Sequence, residues 1–318
     1  MLWEKGGDAK ENSDLKKVDL PTLSITEPTI VIISGWPVAD RKKTMISKEI
    51  HSLKKLLAPY AASRIYCLSH RSGLSASFNT LAYNFSPAHE TKAARDFAQW
   101  IIAPLVSENG RPLPLDAAKQ RLRNLTLYTI CAGAVAGQEI YNAALKKMKD
   151  IGYKHQEAAE LLQEVVDIAV APLSSPWKET NRFSTLSLVN SDDGMLKLVH
   201  PLRALFHKHG QRLKISPLSA TSVLVTASAR RKIWQWRKKE VIEGVSLPRW
   251  RAISHDMPDY INMQDKSSQF SRIVQYALIN AVNRKATIKP MDLLEAPATL
   301  EGPAQDNYQR RIRQAFST

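Results

Sequence analysis

Short runs of apolar and β-branched residues alternate with segments whose apolar positions recur every three to four residues, and this alternation limits what the chain can become. TIVIISG, from Thr29, is continuous and apolar, as a strand covered on both faces requires; ISKEIHSLKKLLAPY, from Ile46, has the spacing of an amphipathic helix. The step then recurs. SRIYCLS from Ser63 is a second predicted strand; an irregular stretch follows to about Phe85, Ser86-Pro87 starts a helix, and ETKAARDFAQWIIAPL continues it. NLTLYTI is the third strand, Ala134 to Lys149 its helix, and VVDIAVAPL from Val165 and FSTLSLVN from Phe183 are two more strands. Alternation on this scale predicts an α/β fold with a three-layer, mostly parallel sheet. Beyond Met195 the pattern predicts a helix to about His209, a less regular basic segment, a short strand RWRAIS and the helix SQFSRIVQYALINAVNR.

The opening MLWEKGGDAKENSDLKKVDLP lacks the apolar centre of a secretory signal. Residues 1–28 are therefore expected to be a flexible polar tail, 29–290 one domain, and 291–318 a C-terminal extension. No stretch has the length and purity of a transmembrane helix. Two cysteines, Cys67 and Cys131, are too few for a disulfide framework, and neither has a metal-type partner at short spacing. A reducing, cytoplasmic setting is expected, a secreted bacterial effector without a readable signal being the alternative. No Gly-rich phosphate loop, His-Glu-x-x-His or Cys/His cluster is present, so neither a cofactor nor a metal is expected.

Charge is concentrated in one region. Of the net +15, the segment from Pro201 to Arg251 supplies +10, with twelve Lys and Arg against two Glu. Its densest part, ARRKIWQWRKKEV, sets Arg230, Arg231, Lys232, Arg237, Lys238 and Lys239 around Trp234 and Trp236. Such a segment attracts anions: nucleic acid, a lipid surface or an acidic small molecule. Trp234 and Trp236 are two residues apart and would not share a helical face, and a solvated basic helix is the structural alternative.

The third strand runs through Thr129-Ile130-Cys131-Ala132-Gly133 into its helix with almost no linker. This corner resembles the nucleophile elbow of the α/β-hydrolase superfamily, with Cys131 in the nucleophile position, as in dienelactone hydrolases, and Thr129 where a glycine is usual. ISGWPVADR, after the first predicted strand, resembles the family's oxyanion segment, with Ser34 in its His position, followed by Gly35, Trp36 and Pro37. The resemblance implies a sheet of the hydrolase type with a basic insertion at about 210–248, before the last strand. It implies backbone N–H donors at Trp36 and Ala132 for a tetrahedral oxyanion, an acid in STLSLVNSDDG, where Asp192 is nearer the strand and Asp193 stays open, and a base at His255 in PRWRAISHDMPDYI.

His70, His200, His207 and His209 are worse placed for that role. Each piece has a structural alternative: a small buried cysteine, a Gly-Pro turn, an Asx turn, a surface histidine. In the resemblance they fall in the family's order, with 62 residues from Cys131 to Asp193 and 62 more to His255. The implied activity is hydrolysis or transfer of an ester or thioester acyl group through a Cys-His-Asp triad; the alternative is a catalytically idle scaffold that binds an anionic partner. If the basic segment borders the pocket, neutralising Arg230, Arg231 and Lys232 raises KM for anionic esters and spares neutral ones in steady-state assays; equal effects on both would exclude that role.

Overall fold

The computed structural model describes residues 2–5, 15–18, 25–34, 64–68, 92–172, 183–190, 222–227, 241–245 and 269–284, with single positions between 50 and 57 and between 286 and 293. In chain order the elements are β1 (Leu2–Lys5), β2 (Leu15–Val18), β3 (Thr29–Ser34), β4 (Arg64–Leu68), α1 (Lys92–Ile102) with a 3-10 turn at Ala103–Leu105, α2 (Leu115–Arg123), β5 (Leu125–Ile130), α3 (Gly133–Asp150), α4 (His155–Leu162), β6 (Val166–Val170), β7 (Ser184–Asn190), β8 (Ser222–Ala227), β9 (Val241–Val245) and α5 (Gln269–Asn283). Ile50, His51, Leu53, Lys54, Lys55 and Leu57 are also helical, within the segment whose periodicity predicts a helix.

The strands form one sheet in the order β2-β1-β4-β3-β5-β6-β7-β8-β9. From β4 to β9 all neighbours are parallel, and β1 runs antiparallel to both β2 and β4. This is an α/β fold built on a parallel sheet.

Three differences from the sequence reading stand out. Residues 1–28, expected to be a flexible tail, contain β1 and β2; four-residue strands are too short to carry a periodic signal, and their pairing is fixed by tertiary contact. The expected insertion at 210–248 contains β8 and β9, which extend the parallel sheet. Helices α2 and α4 were not foreseen; each is only two to three turns long. The helix expected up to His209 and the strand RWRAIS lie outside the described residues.

Both faces of the central sheet are buried, which is why its strands read as continuous apolar runs. One face carries Val31, Ile33, Tyr66, Leu68, Leu125 and Leu127 beneath α1 to α4, where Phe97 and Trp100 pack with ring centroids 4.9 Å apart. The other carries Ile30, Ile32, Ile65, Cys67, Tyr128, Ile168 and Val170, all at most 2 % exposed, with α5 against β6.

A half-buried arginine joins the last helix to the entry of β5. Arg284, just past α5, donates from Nε and Nη2 to the Arg123 carbonyl at 2.9 and 2.7 Å, and from Nη2 to the Leu125 carbonyl at 3.2 Å. Burial pulls its guanidinium down to about 10, opposed by Glu164, which itself pairs with Arg123 at 3.0 Å. The side chain is still charged at neutral pH, and its fork satisfies the last carbonyl of α2 and reaches the first of β5. Arg284→Ala should cost about 2–4 kcal/mol in urea unfolding, because it strips partners from buried carbonyls. Arg284→Lys should recover less than half of that loss.

Candidate active site at the end of β5

β3 and β5 are neighbours in register, Ser34 opposite Ile130, yet the chain leaves β3 for β4 on one side and returns to continue through β5 and β6 on the other. The connections leaving the carboxyl ends of β3 and β5 therefore diverge. A reversal of this kind at the carboxyl edge of a parallel sheet is the usual place for a ligand in such folds.

Cys131 is the first residue past β5 and stands at this edge. Its φ is 56°, in the left-handed region that a β-carbon disfavours by about 1 kcal/mol. Its N–H still donates to the Val170 carbonyl of β6 at 2.9 Å, so the ladder holds the residue while the backbone turns. Ala171 repeats the feature one strand over: φ is 48° and its N–H donates to the Leu188 carbonyl of β7 at 2.9 Å. Among the described residues these are the two non-glycine positions with positive φ, and they lie side by side because Ile130 and Val170 are partners. Strain of this kind, held by surrounding structure, concentrates at functional sites.

Helix α3 begins two residues later without a side-chain cap. Ala134 N–H reaches the Cys131 carbonyl and Val135 N–H the Ala132 carbonyl, whereas the N–H groups of Ala132 and Gly133 find no acceptor among the described residues. Two donors at the positive end of a helix thus follow Cys131 directly. Gly133 as a second donor was not foreseen in the sequence; Ala132 was.

The two thiols differ in setting, and neither forms a disulfide. Cys67 lies within β4, and burial pushes its thiol up to about 12. It is inert at neutral pH. Cys131 is only 3 % exposed but occupies the corner rather than a strand interior.

Of the other expected site residues, Trp36, Asp192, Asp193, His255 and the basic group Arg230, Arg231, Lys232, Arg237, Lys238 and Lys239 lie outside the described residues. Their flanking strands are described. β3 ends at Ser34, two residues before Trp36, and β7 ends at Asn190, two before Asp192. β7 lies two strands from β5 and parallel to it, so its carboxyl end is on the same edge, about 10 Å away at ordinary strand spacing. His255 follows β9 by ten residues.

The sequence reading passed over a polar group behind the corner. Thr129 Oγ1 donates to Asp167 Oδ1 at 2.8 Å across β5 and β6, and Asp167 is buried. An aspartate inside the run VVDIAV was the available signal. Among the described residues no cluster of His, Cys, Asp and Glu could hold a metal ion, and no helix is long and apolar enough to cross a membrane. A scan against protein-family models and a search of curated proteins find no match to this chain.

The left-handed corner makes a simple forecast. Cys131→Gly should be more stable than Cys131→Ala by about 1 kcal/mol in denaturant unfolding, since both remove the thiol and only glycine relieves the φ penalty. Equal stabilities would mean that the corner is relaxed.

Proposed function

We propose that the chain is an acyl hydrolase or acyltransferase of the α/β-hydrolase type, acting on an ester or thioester with Cys131 as nucleophile. The observation that carries this reading is the left-handed backbone of Cys131, at the end of β5 on the switch-point edge, directly ahead of two N–H groups that have no acceptor among the described residues. A nucleophile elbow is a sharp, strained strand-to-helix turn of this kind, with one oxyanion donor on the residue after the nucleophile and another on the loop after the third strand. Those positions correspond here to Ala132 and to the Gly35-Trp36-Pro37 segment that follows β3.

In this reading His255 takes the proton from the Cys131 thiol, and the thiolate attacks the acyl carbon. The Ala132 and Trp36 N–H groups hold the oxyanion. Collapse breaks the bond to the alkoxide or thiolate, which leaves with the proton from His255. Water, deprotonated by His255, then attacks the thioester; the acid departs and the proton returns to Cys131 sulfur. Asp192 or Asp193 orients the imidazole and stabilises its cationic form. An ester or thioester suits the nucleophile because a thiolate leaves a tetrahedral intermediate more readily than an amine does. The basic segment, Arg230 to Lys239, favours an anionic substrate or an acidic surface at the entrance.

Hydrolysis of a p-nitrophenyl ester and of an acyl thioester, followed by intact-mass detection of the acyl-enzyme, tests the assignment. Cys131→Ala and His255→Ala should each lower kcat/KM by about a thousandfold or more and abolish the adduct, without additivity in the double variant. Of Asp192→Asn and Asp193→Asn, one should be severe and the other mild. Activity that survives Cys131→Ala would discard the triad, and the absence of turnover of either substrate would leave a catalytically idle scaffold that binds an anionic partner.

A further inference from the structure

A small cleft lies between α3 and strands β6 and β7, behind the Cys131 corner, lined by Gly137, Gln138, Tyr141, Asp167, Thr185 and Ser187 among others. Its polarity is unusual for space beneath a helix in an otherwise apolar core. Tyr141 is 1 % exposed, and its hydroxyl has no hydrogen-bond partner among the described residues. The ring packs edge-on against Phe183, with centroids 5.2 Å apart. Burial pushes this phenol up to about 12, which keeps it protonated and a donor.

The neighbouring groups are already oriented. Asp167 Oδ1 accepts from Thr129, and the Thr185 hydroxyl donates to the Phe183 carbonyl at 2.8 Å. Asp167 Oδ2 faces α3 at Gly137, where the helix has no side chain: a β-carbon there would stand 3.6 Å from it and 3.4 Å from Thr129 Cγ2. The cleft has a volume of about 10 Å³, room for about one water molecule.

We infer that this cleft is an internal water site, in which a single water accepts from the Tyr141 hydroxyl and donates to the Asp167 carboxylate, tying α3 to β6 behind the corner. A buried hydroxyl that faces the same small cleft as a buried carboxylate is satisfied by such a bridge, and a water with two or more polar partners is held rather than transient. Gly137 is the opening in the helix that makes room for it. The site stands independently of any chemistry at Cys131.

A double-mutant cycle on the full chain decides the matter, because the two single changes have opposite signs with and without the water. Tyr141→Phe should lower the melting midpoint by about 2–4 °C if the hydroxyl holds a water, whereas deleting an orphaned hydroxyl would leave it unchanged or raise it. Gly137→Ala should give no gain in the wild-type background, since its methyl displaces the water. In the Tyr141→Phe background the same change should raise the midpoint by about 2–4 °C, the ordinary benefit of alanine over glycine inside a helix. A gain from Gly137→Ala in both backgrounds, together with a neutral or stabilising Tyr141→Phe, would overturn the inference. Electron density for an ordered water within hydrogen-bond distance of Tyr141 Oη and Asp167 Oδ2 would support it directly, and an empty or apolar-filled cleft at high resolution would contradict it.

Discussion

The pairing of β5 with β3 on one side and β6 on the other is the constraint from which the remaining features follow. It places β5 at the centre of a sheet buried on both faces, so every residue from Leu125 to Ile130 is shielded from water. It also sets the reversal in strand order between β3 and β5, whose carboxyl edge is the usual place for a ligand in such sheets. Cys131 remains attached to this frame through its bond to Val170, so the turn into α3 must occur within two residues. A chain held that tightly reaches the helix through the left-handed region.

Two adjacent strands end in this way. Neither Cys131 nor Ala171 has the backbone freedom of glycine, and each carries a conformational cost that neighbouring pairs and packing offset. The Thr129–Asp167 hydrogen bond lies beneath them and fixes β5 to β6 just before the turn. Farther down, Arg284 ties α5 to the start of β5 through the Arg123 carbonyl. The strand is thus held at both ends by polar contacts inside an apolar core. A rigid support of that kind is what a reactive residue on a corner requires if its geometry is to be kept through a reaction.

Much of the sheet was readable in the sequence because burial on both faces writes itself as uninterrupted apolar runs. TIVIIS, RIYCL, LTLYTI and VDIAV are all strands, and the long amphipathic patterns around Phe97, Ile140 and Leu278 are all helices. What failed to register were elements whose existence depends on distant partners. β1 and β2 are four residues each and polar, and β8 and β9 sit among so many cations that charge obscured their short apolar runs. The corner was visible as Cys-Ala-Gly after a strand. Its left-handed backbone was not, nor that of Ala171, since alanine and cysteine give no signal of positive φ as glycine does. Asp167, one of three buried carboxylates among the described residues, stood in the sequence only as an oddity within VVDIAV.

The central claim is that Cys131 is a nucleophile positioned by this corner and activated by His255, and the contrast between the two thiols tests it most directly. Iodoacetamide alkylation of the native protein at neutral pH, followed by intact mass with Cys67→Ala and Cys131→Ala as site controls, reads each thiol separately. The account predicts that Cys131 reacts at least about tenfold faster than Cys67, whose thiol burial has pushed up to about 12, and that His255→Ala removes most of that advantage. Equal rates for the two thiols, or a Cys131 rate indifferent to His255→Ala, would contradict it.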